Sequence, residues 1–223
     1  MRRGRLRRAV RALVLVAAGW YVLCLLALLY LRAGEPPVTM IQLQRRAEAL
    51  VRGEAYRADR IRVDLDRLPP HVWRAVVAAE DTRFFDHWGF DWAEIQEARE
   101  ELARGERRRG ASTITQQLVK NLFLTTHGSV VRKAIELTLT LPTELVLPKR
   151  RILELYLNNI EWGPGVWGIE AAARHHYGVG ARELSREQAA RLAAVIPAPL
   201  RRRTQNVGWY SEIILERMRV MGW

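Results

Sequence analysis

The chain has 223 residues, a net charge of +12 and one cysteine, Cys24. That excludes a disulfide framework and a cysteine-based zinc site, and the length beyond the N-terminal apolar run suits one domain with a real core rather than two large ones. Six of the positive charges are arginines ahead of that run, which leaves +6 on the rest. Such a balance suits an anionic membrane surface, and no nucleic-acid motif accompanies it, so nucleic acid is not an expected partner.

Residues 12–31 carry no charge, close to the roughly 20 residues a helix needs to cross a bilayer core. Arg2, Arg3, Arg5, Arg7, Arg8 and Arg11 precede them, which predicts a cytoplasmic N-terminus and a domain on the far side. A cleaved signal would share the basic flank but have a shorter apolar core, and Tyr30-Leu31-Arg32 is a poor approach to a cleavage site. A single-pass anchor is the expectation.

Pro36-Pro37 marks the exit from the span, and residues 42–52 read as a short amphipathic helix. Pro69-Pro70 opens an apolar helix ending near Glu80. Asp91 with Glu94 has the spacing of a capping box and predicts a helix over 91–104. Ser112 or Thr113 can cap a helix whose Ile114, Leu118 and Leu122 share one face. A further helix is expected from Val130 toward Leu147, with a kink or break at Pro142, since proline lacks the amide proton and crowds the preceding turn. Pro148 starts the next helix, through Asn159. Gly163, Gly165 and Gly168 give a turn-rich connection, and helices follow over 171–177, after Ser185 and over 208–221. Strand alternation is not evident, so the expected class is mainly α.

Glu80-Asp81 stands where an apolar helix meets an aromatic, glycine-containing loop. A half-buried carboxylate there could serve as a general base, or could simply cap or pair. His87 on the same loop could be catalytic or structural. Residues 110–121 gather Ser112, Thr113, Gln117, Lys120 and Asn121 around a helix start, which suits either an anion site or a capped, solvated helix. Arg132 and Lys133 share a helical face with Glu136, a pattern that often means only surface pairing. Two separated carboxylates with cations between them would suit transfer of a glycosyl group from a phosphate. One acid would take the acceptor's proton while the cations neutralise the departing phosphate.

Five segments in order carry a resemblance: residues 80–89, 110–121, 132–136, 151–158 and 165–173. Across roughly residues 65–200 the chain resembles the peptidoglycan glycosyltransferases, the lipid II polymerases, in their monofunctional, membrane-anchored form. The resemblance implies a helical, lysozyme-like fold with a long cleft and a small apolar subdomain that dips into the membrane. It divides the chain into a basic N-terminus (1–11), a transmembrane helix (12–31), a linker and membrane-proximal segment (32–64) and a glycosyltransferase domain (65–223). It places Glu80 as the general base. Glu136 would orient the donor pyrophosphate, through a divalent metal (Mg or Mn) or through neighbouring cations. Lys120, Arg132 and Lys133 would stabilise the pyrophosphate, and Asp81, Phe84, His87, Ser112, Thr113, Gln117 and Asn121 would contact substrate.

The implied partners are lipid II, the nascent glycan strand, undecaprenyl pyrophosphate and membrane lipids. A separate transpeptidase is expected, because the chain leaves no room for one. The implied location is the cytoplasmic (inner) membrane, with the catalytic domain periplasmic or extracytoplasmic. Three positions depart from the family pattern: Ala111 for a usual glycine, Gly128 where many members carry arginine, and Pro142 within a helix. Arg107 to Arg109 or His127 could supply the missing cation. A glycan hydrolase and a non-enzymatic scaffold for wall assembly are the rival readings. The first would release fragments from sacculi, and the second would leave Glu80, Lys120 and Glu136 without a task.

Overall fold

The computed structural model describes residues 2–105 and 112–223. Gly110, Ala111 and Arg107 to Arg109, which figured in the sequence reading, lie outside the described residues. Ten α-helices and three short strands are described, so the expected mainly α class holds.

Helix α1 (Arg2–Leu31) contains the apolar span. Its C-terminal half does not stand free. Leu28 and Leu31 join the main core, while Cys24 packs with Val119, Leu124 and Leu139 in a second cluster. The carbonyl of its last residue is taken up by Arg151, whose Nε donates to Leu31 O at 2.9 Å and whose guanidinium also bonds the Gly34 carbonyl beyond the helix and pairs with Glu35. Helix ends leave such carbonyls without intrahelical donors, so Arg151 both caps the anchor and ties it to the domain.

Helix α2 (Met40–Arg52) starts at a reciprocal capping box between Thr39 and Gln42. Thr39, Ile41, Gln42 and Ala49 are buried, and strand β1 (Asp59–Arg60) pairs with a strand more than a hundred residues later. The segment expected as a linker thus contributes buried residues and a strand to the domain, while residues 50–55 are exposed. Helix α3 (Pro70–Glu80) buries Ala75, Val76, Val77 and Ala78 completely. Helix α4 (Trp92–Ala103) is capped by Asp91, whose carboxylate accepts from Glu94 N at 3.0 Å. Helix α5 (Ile114–Phe123) is capped by Thr113. Of the two residues expected as caps there, it is the threonine that serves.

Helix α6 (Val130–Val146) runs through Pro142 without a break, so of the expected kink or break the break does not occur. Leu137, Leu141 and Leu145 recur every four residues on this helix and are exposed, a stripe that suits an apolar medium. Helix α7 (Lys149–Asn159) is the central element, with Ile152, Leu153, Leu155, Tyr156 and Leu157 fully buried. Strands β2 (Glu161–Gly163) and β3 (Val166–Trp167) form a hairpin, and β3 pairs parallel with β1 in the order β1-β3-β2. Runs of two or three residues are too short for alternation to show, which is why the sequence hid them. Helix α8 (Ile169–Tyr177) follows, then α9 (Arg186–Ala193) behind the Ser185–Gln188 capping box, and α10 (Gly208–Val220). Helices α9 and α10 pack on α3 and hold its C-terminal end, where Glu80 sits.

Gly89 joins the loop after α3 to α6. Its φ is +79°, and a Cβ there would lie 2.4 Å from Thr140 Cγ2. Gly89→Ala should therefore cost about 1–3 kcal/mol, read as a lowered midpoint of thermal unfolding in detergent. Gly128→Ala, with open space around the position, should leave the midpoint nearly unchanged.

Candidate active site

Glu80 is the last residue of α3 and half-buried. It lines a cleft of about 510 Å³ together with Ser112, Thr113 and Gln117 from the start of α5, Arg202, and Tyr210 and Arg217 from α10. The carbonyls that close α3 are held from α10. Tyr210 Oη donates to Ala79 O at 3.0 Å and Arg217 Nη1 donates to Ala78 O at 3.1 Å. The base candidate thus stands on a helix end fixed from outside, rather than on a loop.

Burial pushes the Glu80 carboxyl above its usual range, while a hydrogen bond from Gln117 and the charges of Lys120 and Arg202 pull it back. Gln117 Nε2 donates to Glu80 Oε2 at 2.7 Å. The amide orientation is set by Tyr156, whose hydroxyl donates to Gln117 Oε1 at 2.8 Å. Burial holds the Tyr156 phenol well above its usual range, so it stays a donor. An acceptor facing Tyr156 leaves the amide nitrogen of Gln117 facing Glu80.

This relay predicts a pH effect. Tyr156→Phe removes the donor on Gln117 Oε1, leaves the amide held only through Nε2, which is shared between Glu80 and Ser112 O at 3.3 Å, and weakens its donation to Glu80. A bond that favoured ionised Glu80 is lost, so the Glu80 pKa rises further. The acid limb of kcat/KM, where activity grows as the base ionises, should move to higher pH. Tyr156 was not singled out as a site residue, because it reads as one more apolar position in α7.

A second group lies on α6. Glu136 is 2 % exposed. Arg132 Nη1 donates to its Oε2 at 2.6 Å and Lys133 Nζ bonds its Oε1. Lys133 also donates to Ser112 Oγ at 3.2 Å and Gln116 Oε1 at 3.0 Å, which joins α6 to the start of α5. The Ser129 cap and the i, i+3 and i, i+4 spacings place both cations against one carboxylate.

Lys120, on α5, is the link between the two groups. Burial lowers its pKa. Of the charges that act on it, Glu136 and Glu80 favour the ammonium, whereas Arg132 and Lys133 disfavour it. It lines a smaller hollow of about 160 Å³ with Arg45, Asn121, Tyr156 and Glu161, which shares Gln117 and Pro197 with the lining of the main cleft. Every other charged group of this site has a hydrogen-bonded partner within the protein. Among the described residues Lys120 has none.

Most of the remaining candidates make bonds within the protein. Phe84 is completely buried, so its expected substrate contact is corrected: its ring packs in the core, under Lys149 Nζ at 4.4 Å. Asp81 accepts from Ile114 N at 3.0 Å, and its other oxygen lies 2.9 Å from His87 Nε2. Gly89 N donates to His87 Nδ1 at 3.1 Å, which makes Nε2 the protonated nitrogen. Asp81 and His87 therefore lash the first-motif loop to the start of α5, and both side chains are nearly closed to solvent. Thr113 adds a bond to Gly89 O at 2.8 Å. Asn121 donates to Gln117 O at 2.8 Å and lines the smaller hollow. His127 is exposed.

A divalent ion does not fit Glu136 as it stands, because each carboxylate oxygen already faces a cationic nitrogen. Asp81, His87 and Asp91 also converge, yet their bonds to one another, to Arg83 and to backbone amides already occupy them. Sequence reasoning missed Arg202, Tyr210 and Arg217. A run of arginines and an amphipathic C-terminal helix carry no local sign that they face a cleft 120 residues earlier in the chain.

The family described as Transglycosylase matches residues 47–220. A biosynthetic peptidoglycan transglycosylase of Pseudomonas fluorescens (strain Pf0-1) is 46% identical over 194 residues, 87% of this chain and 79% of the relative. One from Ectopseudomonas mendocina (strain ymp) is 48% identical over 176 residues, covering 79% and 73%. One from Pseudomonas putida (strain W619) is 46% identical over 196 residues, covering 88% and 81%. The match begins inside α2, in agreement with the packing of that helix into the domain. With its mainly α, lysozyme-like architecture, the chain belongs to the transglycosylase family.

Proposed function

We propose that the two carboxylates divide one glycosyl transfer, with Glu80 on the acceptor side and the α6 cluster on the donor side. The chain is a peptidoglycan glycosyltransferase of cell-wall synthesis, and its substrates are lipid II and the growing glycan strand. Glu80 takes the proton of the acceptor's 4-hydroxyl. That oxygen bonds to the anomeric carbon of the donor as the carbon–oxygen bond to pyrophosphate breaks. The electron pair leaves with undecaprenyl pyrophosphate, and the new β-1,4 link forms with inversion. Arg132, Lys133 and Lys120 neutralise the departing charge. No step needs a metal.

The observation that carries this reading is Lys120, a half-buried ammonium that stands between Glu80 and Glu136 with no hydrogen-bonded partner among the described residues. A hydrolase needs no cation there, because its leaving group is a sugar hydroxyl that a general acid protonates. A pyrophosphate needs several. The test is incubation of the purified protein with lipid II, followed by lysozyme digestion of the product. Polymer cut to muropeptides supports the reading, whereas fragments released from sacculi without any polymer would overturn it.

The anchor supports single-pass attachment to a membrane. We place the arginine-flanked end in the cytoplasm and the cleft on the outer face of the inner membrane, where the exposed stripe of α6 can rest against lipid. Cross-linking of the strands then falls to a separate transpeptidase.

A further inference from the structure

Pro142 has no amide hydrogen, so in α6 it leaves the carbonyl of Thr138, four residues earlier, without its helical donor. That carbonyl is not left open. Tyr21, on the membrane-spanning helix, donates its hydroxyl to Thr138 O at 2.9 Å. The donor and acceptor are 117 positions apart in the chain, and the acceptor is the one carbonyl the proline releases. Around this bond, Cys24 of α1 packs with Leu139 of α6 and with Val119 and Leu124, while Trp20, Tyr21 and Leu25 close the edge.

The location makes the bond matter. Tyr21 lies ten residues inside Leu31, roughly 15 Å along the helix axis, and the face of α6 nearby is the exposed Leu137–Leu141–Leu145 stripe. Lipid offers no hydrogen to an unpaired carbonyl, so a proline in such a helix needs a donor from a neighbour. The same helix carries Arg132, Lys133 and Glu136 within two turns of Thr138.

We infer that Tyr21 is a positioning residue for the donor site: its hydroxyl replaces the hydrogen bond that Pro142 removes, and so docks the membrane anchor against α6 and sets the placement of Arg132 and Lys133. The inference rests on the donor-side role proposed for those cations. It makes the anchor part of the catalytic unit rather than a tether.

The proline itself provides the test, because Pro142→Ala restores the missing amide donor. Full-length wild type, Tyr21→Phe, Pro142→Ala and the double variant are reconstituted in liposomes of phosphatidylethanolamine and phosphatidylglycerol. Two quantities are read for each: KM and kcat with lipid II, and hydrogen–deuterium exchange of α6. Tyr21→Phe should raise KM about five- to tenfold, the scale of one hydrogen bond, with little change in kcat and with faster exchange after residue 138. In the Pro142→Ala background the same replacement should change neither quantity more than about twofold. Equal losses in both backgrounds would overturn the proposal, as would no loss in either. Failure of the donor-side reading looks different: Arg132→Gln would then leave KM unchanged while Tyr21→Phe still sped exchange in α6.

Discussion

Glu80→Gln is expected to abolish polymerisation while leaving affinity for a lipid II mimic almost unchanged. The amide keeps the shape of the carboxylate and can still accept from Gln117 Nε2, so the Tyr156–Gln117 relay survives. What disappears is the site that takes the acceptor's proton. General-base contributions are typically 100- to 10,000-fold, and the loss of turnover should fall in about that range. The pH dependence gives an independent check. Because burial raises the Glu80 pKa, the wild-type acid limb should lie above the usual carboxylate range, with activity lost as pH falls through the raised value. In the variant that limb should vanish from whatever activity remains. The measurements are polymer formation across pH and inhibitor affinity by titration. Near-normal turnover in Glu80→Gln would remove the base from Glu80.

Local patterns made most of the helices legible before any coordinates. Asp91, Thr113 and Ser185, expected as caps, each accept from an amide three residues on, and Thr39 and Ser129, which had not been singled out, do the same. Glu80 and Glu136 stood out as candidates because acids and cations neighbour them in the chain, and their roles were implied by the family resemblance rather than by those neighbours. Long-range facts were not. Phe84 lies inside a functional motif, yet only the packed fold shows that its ring is core. Tyr156, Arg202, Tyr210 and Arg217 reach the site from elements distant in sequence, and no periodicity says which face of α10 meets α3. Pro142 shows the limit most clearly. Its local rule, a missing donor, is correct, but the expected break does not occur, and the carbonyl it releases accepts instead from a tyrosine on the anchor.

The α6 cluster supports a prediction of a different kind from that for Glu80. Glu136 offers no free oxygen for an acceptor's proton in this setting, since both its oxygens are engaged by cations. On the proposed reading it holds Arg132 and Lys133 at fixed positions and keeps three neighbouring cations from repelling one another. Glu136→Gln removes one negative charge from among Lys120, Arg132 and Lys133. Breaking a buried charge pair costs about 2–5 kcal/mol where both partners are desolvated. Lys133 is 37% exposed and Arg132 19%, so solvent screens part of that cost. A fall of roughly 10- to 100-fold in kcat/KM for lipid II follows. It should appear mainly as a higher KM, because the donor meets cations that are no longer held in register. The acid limb set by Glu80 should remain, which separates this variant from Glu80→Gln. Added Mg should not restore activity, since the loss is of a positioned ion pair rather than of a metal ligand. A pure kcat defect with unchanged KM, or rescue by Mg, would show that Glu136 acts on the reaction in some way other than by holding Arg132 and Lys133.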